Sequence, residues 1–281
     1  MTNNEQFAQA AKVAAAMRAE IGKALVGQKE VIDAVLCALL AGGHVLVEGV
    51  PGLGKTLLVR ALARTIAGSF GRIQFTPDLM PADVTGHTLY DPKNQVFTTR
   101  RGPVFVNLLL ADEINRAPAK VQSPLLEVMQ ARQVTIAAET HYVPSPFLVM
   151  ATQNPIETEG TYPLPEAQVD RFMMKVLVGY PSEEEEFVIV ERVTGAAATV
   201  GMVATTEQLA ALQAECHKVY VDPMLLQYAV KLVSATRRCE RYGLRDLGRY
   251  IGYGASPRAT ICLVEGARAL AFLRGPMHVL S

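Results

Sequence analysis

GVPGLGKT at residues 49–56 is a complete G-x-x-x-x-G-K-T string, set between a strand-like run at 44–48 and a helix-like run at 57–67. Glycines at 49, 52 and 54 let the backbone turn so that successive N–H groups, backed by the N-terminus of the following helix, point at phosphate oxygens. Lys55 adds a mobile positive charge, and Thr56 offers a hydroxyl to Mg²⁺, a cation that takes oxygen ligands and keeps most of its waters. The string predicts a nucleoside triphosphate site cradled by Gly49, Val50, Pro51, Gly52, Leu53, Gly54, Lys55, Thr56 and Leu57. A chance glycine turn would lack the strand before it and the helix after it.

Around this loop lies a chain of 281 residues, half of them apolar, enough for two ordinary globular domains. No window approaches the roughly 18 to 20 apolar residues of a membrane span, and the N-terminus MTNNEQFAQAAK lacks the apolar core of a signal peptide. A soluble, cytoplasmic protein without membrane insertion is expected. Cys37, Cys216, Cys239 and Cys262 form no C-x-x-C pair, so buried or half-buried thiols are expected in place of zinc or disulfides. The five histidines show no metal-binding spacing, and 27 bases balance 27 acids, which gives no global footprint for nucleic acid.

The first 41 residues read as two helices flanking a turn at Val26-Gly27-Gln28. Apolar runs at 44–48, 73–76, 105–111 and 147–152 then alternate with helical segments, the α/β signature of a parallel sheet covered on both faces. Such sheets bind ligands beyond the carboxyl ends of their strands. Residues 85–105 and 133–144 interrupt the alternation with β-prone pieces around turn-forming clusters, and read as hairpins. Past residue 180 strands cease. Ser182, Thr205, Asp222 and Ser256 each look like a helix N-cap, so residues 181–281 form an all-helical second domain after a nucleotide-binding domain at 1–180.

The run at 105–113, FVNLLLADE, is an apolar strand ending in two carboxylates. Behind a phosphate loop, Asp112 is placed to hold Mg²⁺ largely through its waters, and Glu113 to orient and deprotonate the attacking water. The next strand runs into Gln153-Asn154-Pro155, which sets the Asn154 amide at a strand end; it serves equally to fix a water or to make an Asn-Pro turn. Arg171 closes a short helical stretch and Arg258 opens a helix in the second domain. Arginine neutralises phosphate oxygens in two directions, although surface salt bridges explain either residue taken alone.

These residues in this order resemble an AAA+ ATPase, and four longer strings resemble its MoxR family: RIQFTPDLMPADVTG (72–86), LLLADEINRAPAKVQSPLLEVMQARQVTI (108–136), ATQNPIETEGTYPLPEAQVDRF (151–172) and GASPRA (254–259). The resemblance covers about residues 26–259. It implies a three-layer αβα domain with a parallel sheet and two hairpin inserts, followed by a smaller helical lid. Catalytic roles fall to Glu113, Lys55, Asn154 as sensor 1, Arg258 as a sensor 2 that feels the γ-phosphate in its own subunit, and Arg171 as an arginine finger reaching a neighbour. Val26, Gly27 and Gln28 are implied near adenine, with Thr56 and Asp112 toward the metal. ATP and Mg²⁺ are the implied cofactors. A homo-oligomeric, hexameric ring is implied, working as a chaperone-like remodelling or maturation factor on von Willebrand factor A domain proteins or other clients.

Two departures from the family pattern carry expectations. Pro124 falls within the helix after the acidic pair and should kink or split it. The chain also stops soon after the helix bearing Arg258, so an incomplete lid is expected. Two other function classes stay open: a nucleotide-gated binding module with little turnover, and a DNA-engaging motor, for which Arg100 and Arg101 beside the first hairpin speak.

Overall fold

The structure is a computed structural model that describes residues 3–49, 52–155, 160–195, 199–275 and 278–279. Helices α1 (Asn3–Ala24) and α2 (Lys29–Leu40) lead into β1 (Val45–Gly49), α3 (Lys55–Thr65), β2 (Phe70–Gln74) and the short α4 (Pro81–Thr85). Strands β3 (Gly86–Asp91) and β4 (Val96–Arg101) form the first hairpin before β5 (Leu108–Asp112) and α5 (Ala119–Ala131). Strands β6 (Gln133–Ile136) and β7 (Glu139–Tyr142) form the second, followed by β8 (Leu148–Gln153), α6 (Glu166–Val169) and β9 (Met174–Val178). Helices α7 (Glu183–Thr194), α8 (Thr206–His217), α9 (Pro223–Arg237), α10 (Arg245–Gly248) and α11 (Pro257–Arg274) complete the chain.

The five parallel strands stand in the order β2-β5-β8-β1-β9. Side chains alternate across a strand, so each buried strand feeds two cores. Val45, Val47, Leu108, Leu110, Leu148 and Met150 face a core built with α1, α2 and α3. Leu46, Leu109, Ala111, Val149 and Ala151 face a second core closed by α5. This is the αβα sandwich with two hairpin inserts that the sequence predicts.

Three details differ from the expectations. The sheet has a fifth strand, β9, beyond the four apolar runs; its alternation is short, and as an edge strand it leaves Leu177 exposed. β2 begins earlier and β5 later than their apolar runs, because Asn107 is drawn into side-chain bonds with Ser69 and the Pro146 carbonyl before the ladder starts. α5 does not split at Pro124. One absent N–H removes one helical bond, and the apolar face formed by Val121, Leu125, Leu126 and Met129 stays buried.

The lid helices begin where their caps predict: Ser182, Thr205, Asp222 and Ser256 each accept a hydrogen bond from a first-turn N–H. The base of the lid shares the first core. Leu209, Leu212 and Cys216 of α8 and Phe272 of α11 are buried with α1 and α2, and Phe7 meets Phe272 edge to face at 5.1 Å. Cys37 and Cys216 are buried thiols whose pKa burial pushes up to about 12, in keeping with a structural role.

His44, just before β1, is buried against the second core, where its ring meets Phe147 edge to face. Its Nδ1 accepts the Val149 N–H at 2.9 Å and its Nε2–H donates to the Met129 carbonyl at 3.0 Å. Burial, reinforced by the Arg132 charge, pushes its pKa down to about 3. The unfolded chain protonates this ring near pH 6.5, so it binds more protons than the folded protein between those two values. The contribution of His44 is therefore complete above about pH 6.5 and declines by about 1.4 kcal/mol per unit as pH falls below it. Urea midpoints measured at pH 7.5 and 5.5 should show the lower stability at 5.5, and His44→Gln should flatten the difference.

Candidate active site

The phosphate loop leaves the carboxyl end of β1. Gly52 and Gly54 take left-handed backbone at φ of 87° and 76°, a region that side chains with a Cβ avoid, and Gly54 caps α3. Val50 and Pro51 lie outside the described residues. Lys55 opens α3 and bends back to donate to the Gly49 carbonyl at 2.7 Å; Thr56 and the exposed Leu57 follow in the same turn. Burial lowers the Lys55 pKa, while the charges of Asp112 and Glu113 oppose that shift and hold its proton.

Strand order explains why those carboxylates are near. β8 lies between β1 and β5, so the ends of three parallel strands bring the loop, Asn154 and the acidic pair to one edge. Gln153 pairs with Glu48, which sets the buried Asn154 level with the start of the loop. Asp112 ends β5 with Oδ1 accepting the Thr152 hydroxyl at 2.6 Å and Oδ2 accepting Arg72 Nη2 at 2.7 Å. Glu113 has left-handed backbone at φ 55°, unusual for a residue with a long side chain. Its N–H donates to the Thr152 hydroxyl at 2.8 Å, and its carboxylate takes Gln74 Nε2 at 2.7 Å and Arg116 Nε at 3.1 Å.

Val26, Gly27 and Gln28 close one corner of this edge. Gln28 Nε2 donates to the Leu53 carbonyl of the phosphate loop at 3.1 Å. Gly27 has φ 74°, a left-handed conformation that favours glycine, and a Cβ there would meet the carboxylate end of Glu185 on α7.

Arg171 and Arg258 are elsewhere. They share a cavity of about 260 Å³ with Gly42, Gly43 and His44, which precede β1, whereas the phosphate loop follows it. A strand of five residues separates those ends by roughly 17 Å. Asp170 organises this edge, accepting the Ser256 hydroxyl at 2.7 Å and lying 3.8 Å from Arg258 Nη1. The buried Nε of Arg171 has no partner among the described residues. Arg258 therefore stands beside Asp170 at the amino end of β1, and not at the phosphate loop of its own subunit. The cause is the packing of α11, whose far end is anchored in the shared core while its first turn rests on Asp170.

The family model described as "ATPase family associated with various cellular activities (AAA)" matches residues 44–174. The chain is 51% identical over 261 residues to "Chaperone MoxR1" of Mycobacterium tuberculosis, covering 93% of this chain and 69% of that protein. It is 32% identical to "Protein MoxR" of Methylorubrum extorquens, covering 93% of this chain and 81% of that one. This protein belongs to the MoxR family of AAA+ ATPases. A Cytophaga hutchinsonii crystal structure superposes on this MoxR-family fold with a TM-score of 0.90 at 46% identity, over 99% of this chain and 84% of that one.

Four residues at this MoxR-family site carry no signal in the sequence: Arg72 and Gln74 on β2, Arg116 after β5 and Thr152 on β8. Thr152 is fully buried and uses one hydroxyl to fix both Asp112 and the Glu113 backbone. Thr152→Val keeps the shape but leaves a buried N–H without its acceptor, a loss of about 1–3 kcal/mol in stability. Turnover should fall about 10- to 100-fold, as when partners of metal-directed carboxylates are removed. Urea unfolding and steady-state phosphate release measure the two effects; unchanged turnover would show that Thr152 only supports the fold.

Proposed function

We propose that this protein binds ATP with Mg²⁺, hydrolyses the β–γ phosphoanhydride, and uses the cycle within a ring of its own copies to remodel a partner protein complex. The observation that carries this reading is the meeting of Lys55, Asp112 and Glu113 at one sheet edge, with Thr152 joining the two carboxylates. The loop N–H groups and Lys55 would bind and orient the phosphates. Glu113 would take the proton of the attacking water, and Asn154, just past the end of the strand between, would position that water.

The donor set fits Mg²⁺. Thr56 and Asp112 are hard oxygen donors, and Asp112 already draws a cation, Arg72, onto Oδ2. Few protein ligands are needed where phosphates and water supply the rest, and among the described residues no cluster of three or more His, Cys, Asp or Glu offers a site of another kind. Mg²⁺ bound there would neutralise charge building on the phosphate oxygens.

Arg171 and Arg258, set together at the opposite edge, would complete the site of the neighbouring subunit. This reading makes the ring, taken as hexameric, a requirement for turnover. The chaperone role rests on likeness to the Mycobacterium tuberculosis chaperone MoxR1, and a von Willebrand factor A domain client on family resemblance. The test is phosphate release from Mg·ATP by the parent and Glu113→Gln across a range of protein concentrations. The parent rate per subunit should rise with concentration as copies associate.

One observation favours a second reading, a nucleotide-gated binding module. Arg72 and Arg116 pair with Asp112 and Glu113, so both carboxylates are engaged with cations of the chain itself. That reading predicts tight ADP retention with negligible phosphate release, which the same assay separates.

A further inference from the structure

Two exposed surfaces of the lid have no part in the nucleotide site. The first is the outer face of α7. Residues 183–191 read EEEEFVIVE, five glutamates without a base. Glu185 turns inward to close the capping box against Ser182, and Arg192 donates to the Lys23 carbonyl at 2.6 Å. Glu183, Glu186, Phe187, Val190 and Val193 share one outward face at spacings of three or four, with Phe187 65% and Val193 79% exposed. Among the described residues neither Glu183 nor Glu186 makes an ion pair.

The second surface is residues 237–253, RRCERYGLRDLGRYIGY, where five arginines face one glutamate and one aspartate. Every residue from 241 to 250 is exposed. The ring of Tyr250 carries the Arg249 guanidinium at 4.8 Å, and Tyr253 is 71% exposed. Arginine and tyrosine on an exposed, ordered segment are the residue types that anchor protein contacts.

Their positions give the pair a meaning. α7 starts at the phosphate-loop corner, where Glu185 meets Gly27. The basic segment runs into the other edge, where Tyr253 and Gly254 line a cleft with Asp170, Arg171 and Arg258. A head-to-tail contact that carries Arg171 to a neighbour's phosphate loop brings these two edges together, so that each copy in a ring offers α7 to one neighbour and the basic segment to the other.

We infer that the acidic, apolar face of α7 on one subunit docks onto the basic, aromatic segment 237–253 of the next copy of this chain. The inference rests on the ring reading above. Opposite charge fixes the register of the contact, and Phe187, Val190 and Val193 supply the apolar area it buries.

The test uses the full chain with a non-hydrolysable ATP analogue and reads assembly by sedimentation velocity. One variant carries Glu183→Arg and Glu186→Arg, the other Arg241→Glu and Arg245→Glu. Each alone should associate at least about tenfold more weakly than the parent, and high salt should weaken the parent. An equimolar mixture should assemble again, because alternating the two variants restores opposite charge at every contact. That recovery also shows that both variants are folded. If the parent stays monomeric, the ring reading and this contact both fall. If the parent assembles and the reversals assemble equally well, or the mixture does not recover, this contact alone is overturned. Loss of single-stranded DNA binding by the arginine variant with assembly unchanged would assign the basic segment to nucleic acid and overturn it as well.

Discussion

Glu113→Gln should hold ATP about as tightly as the parent yet release phosphate at least about a hundredfold more slowly. The substitution keeps size and shape and removes the group able to accept a proton from water. Binding is expected to survive because it resides in the loop N–H groups and Lys55, and Lys55 keeps its bond to the Gly49 carbonyl and the nearby Asp112 charge. The backbone of Glu113 supports the same assignment. A left-handed glutamate costs on the order of 1–3 kcal/mol and persists only where its surroundings hold it. Here they do: its N–H donates to Thr152 and its carbonyl accepts the Arg116 N–H at 2.8 Å. Titration with a fluorescent ATP analogue and a phosphate-release assay separate the two effects. Unchanged release would remove Glu113 as the base, and lost binding would show that its charge acts through Lys55 instead of on water.

How much of this was legible in the sequence follows from the range of the interactions. The phosphate loop, Asp112 and Glu113 could be read because each depends on a few consecutive residues and on the strand that presents them. The helix caps at Ser182 and Ser256 were legible for the same reason. Thr152 was not, because a threonine at the end of an apolar strand reads as an ordinary strand former; its hydroxyl gains meaning only once β8 is known to lie beside β5. Arg72 and Gln74 needed the β2–β5 register, which sets Gln74 opposite Asp112 across 38 residues of chain. Arg258 shows the limit most clearly. The string GASPRA announces an arginine at a helix start, and the structure agrees. Which edge of the sheet that helix start touches is decided by Phe272 and the α8 residues packed against α1 and α2, an arrangement with no local signal.

That placement makes the expectation for Arg171 sharp. Arg171→Ala should retain nucleotide and lose turnover by about 10³-fold or more, as for an arginine that stabilises phosphoryl transfer from outside the subunit. The reason is distance: Arg171 and Arg258 lie beside Gly42 and Gly43 at the amino end of β1, while their own phosphate loop follows its carboxyl end. Loss of turnover alone would not separate a reaching role from a damaged fold, since Arg171 also lines the cleft against the lid. Mixing separates them. Glu113→Gln keeps an intact Arg171, and Arg171→Ala keeps an intact Glu113; if the arginine acts across the subunit contact, some sites in a mixed ring carry both groups. Two inactive proteins should then become active together, with a rate that peaks near equal proportions. An arginine acting only on its own subunit, or only on folding, leaves every site in the mixture defective, because no subunit carries Glu113 and Arg171 together.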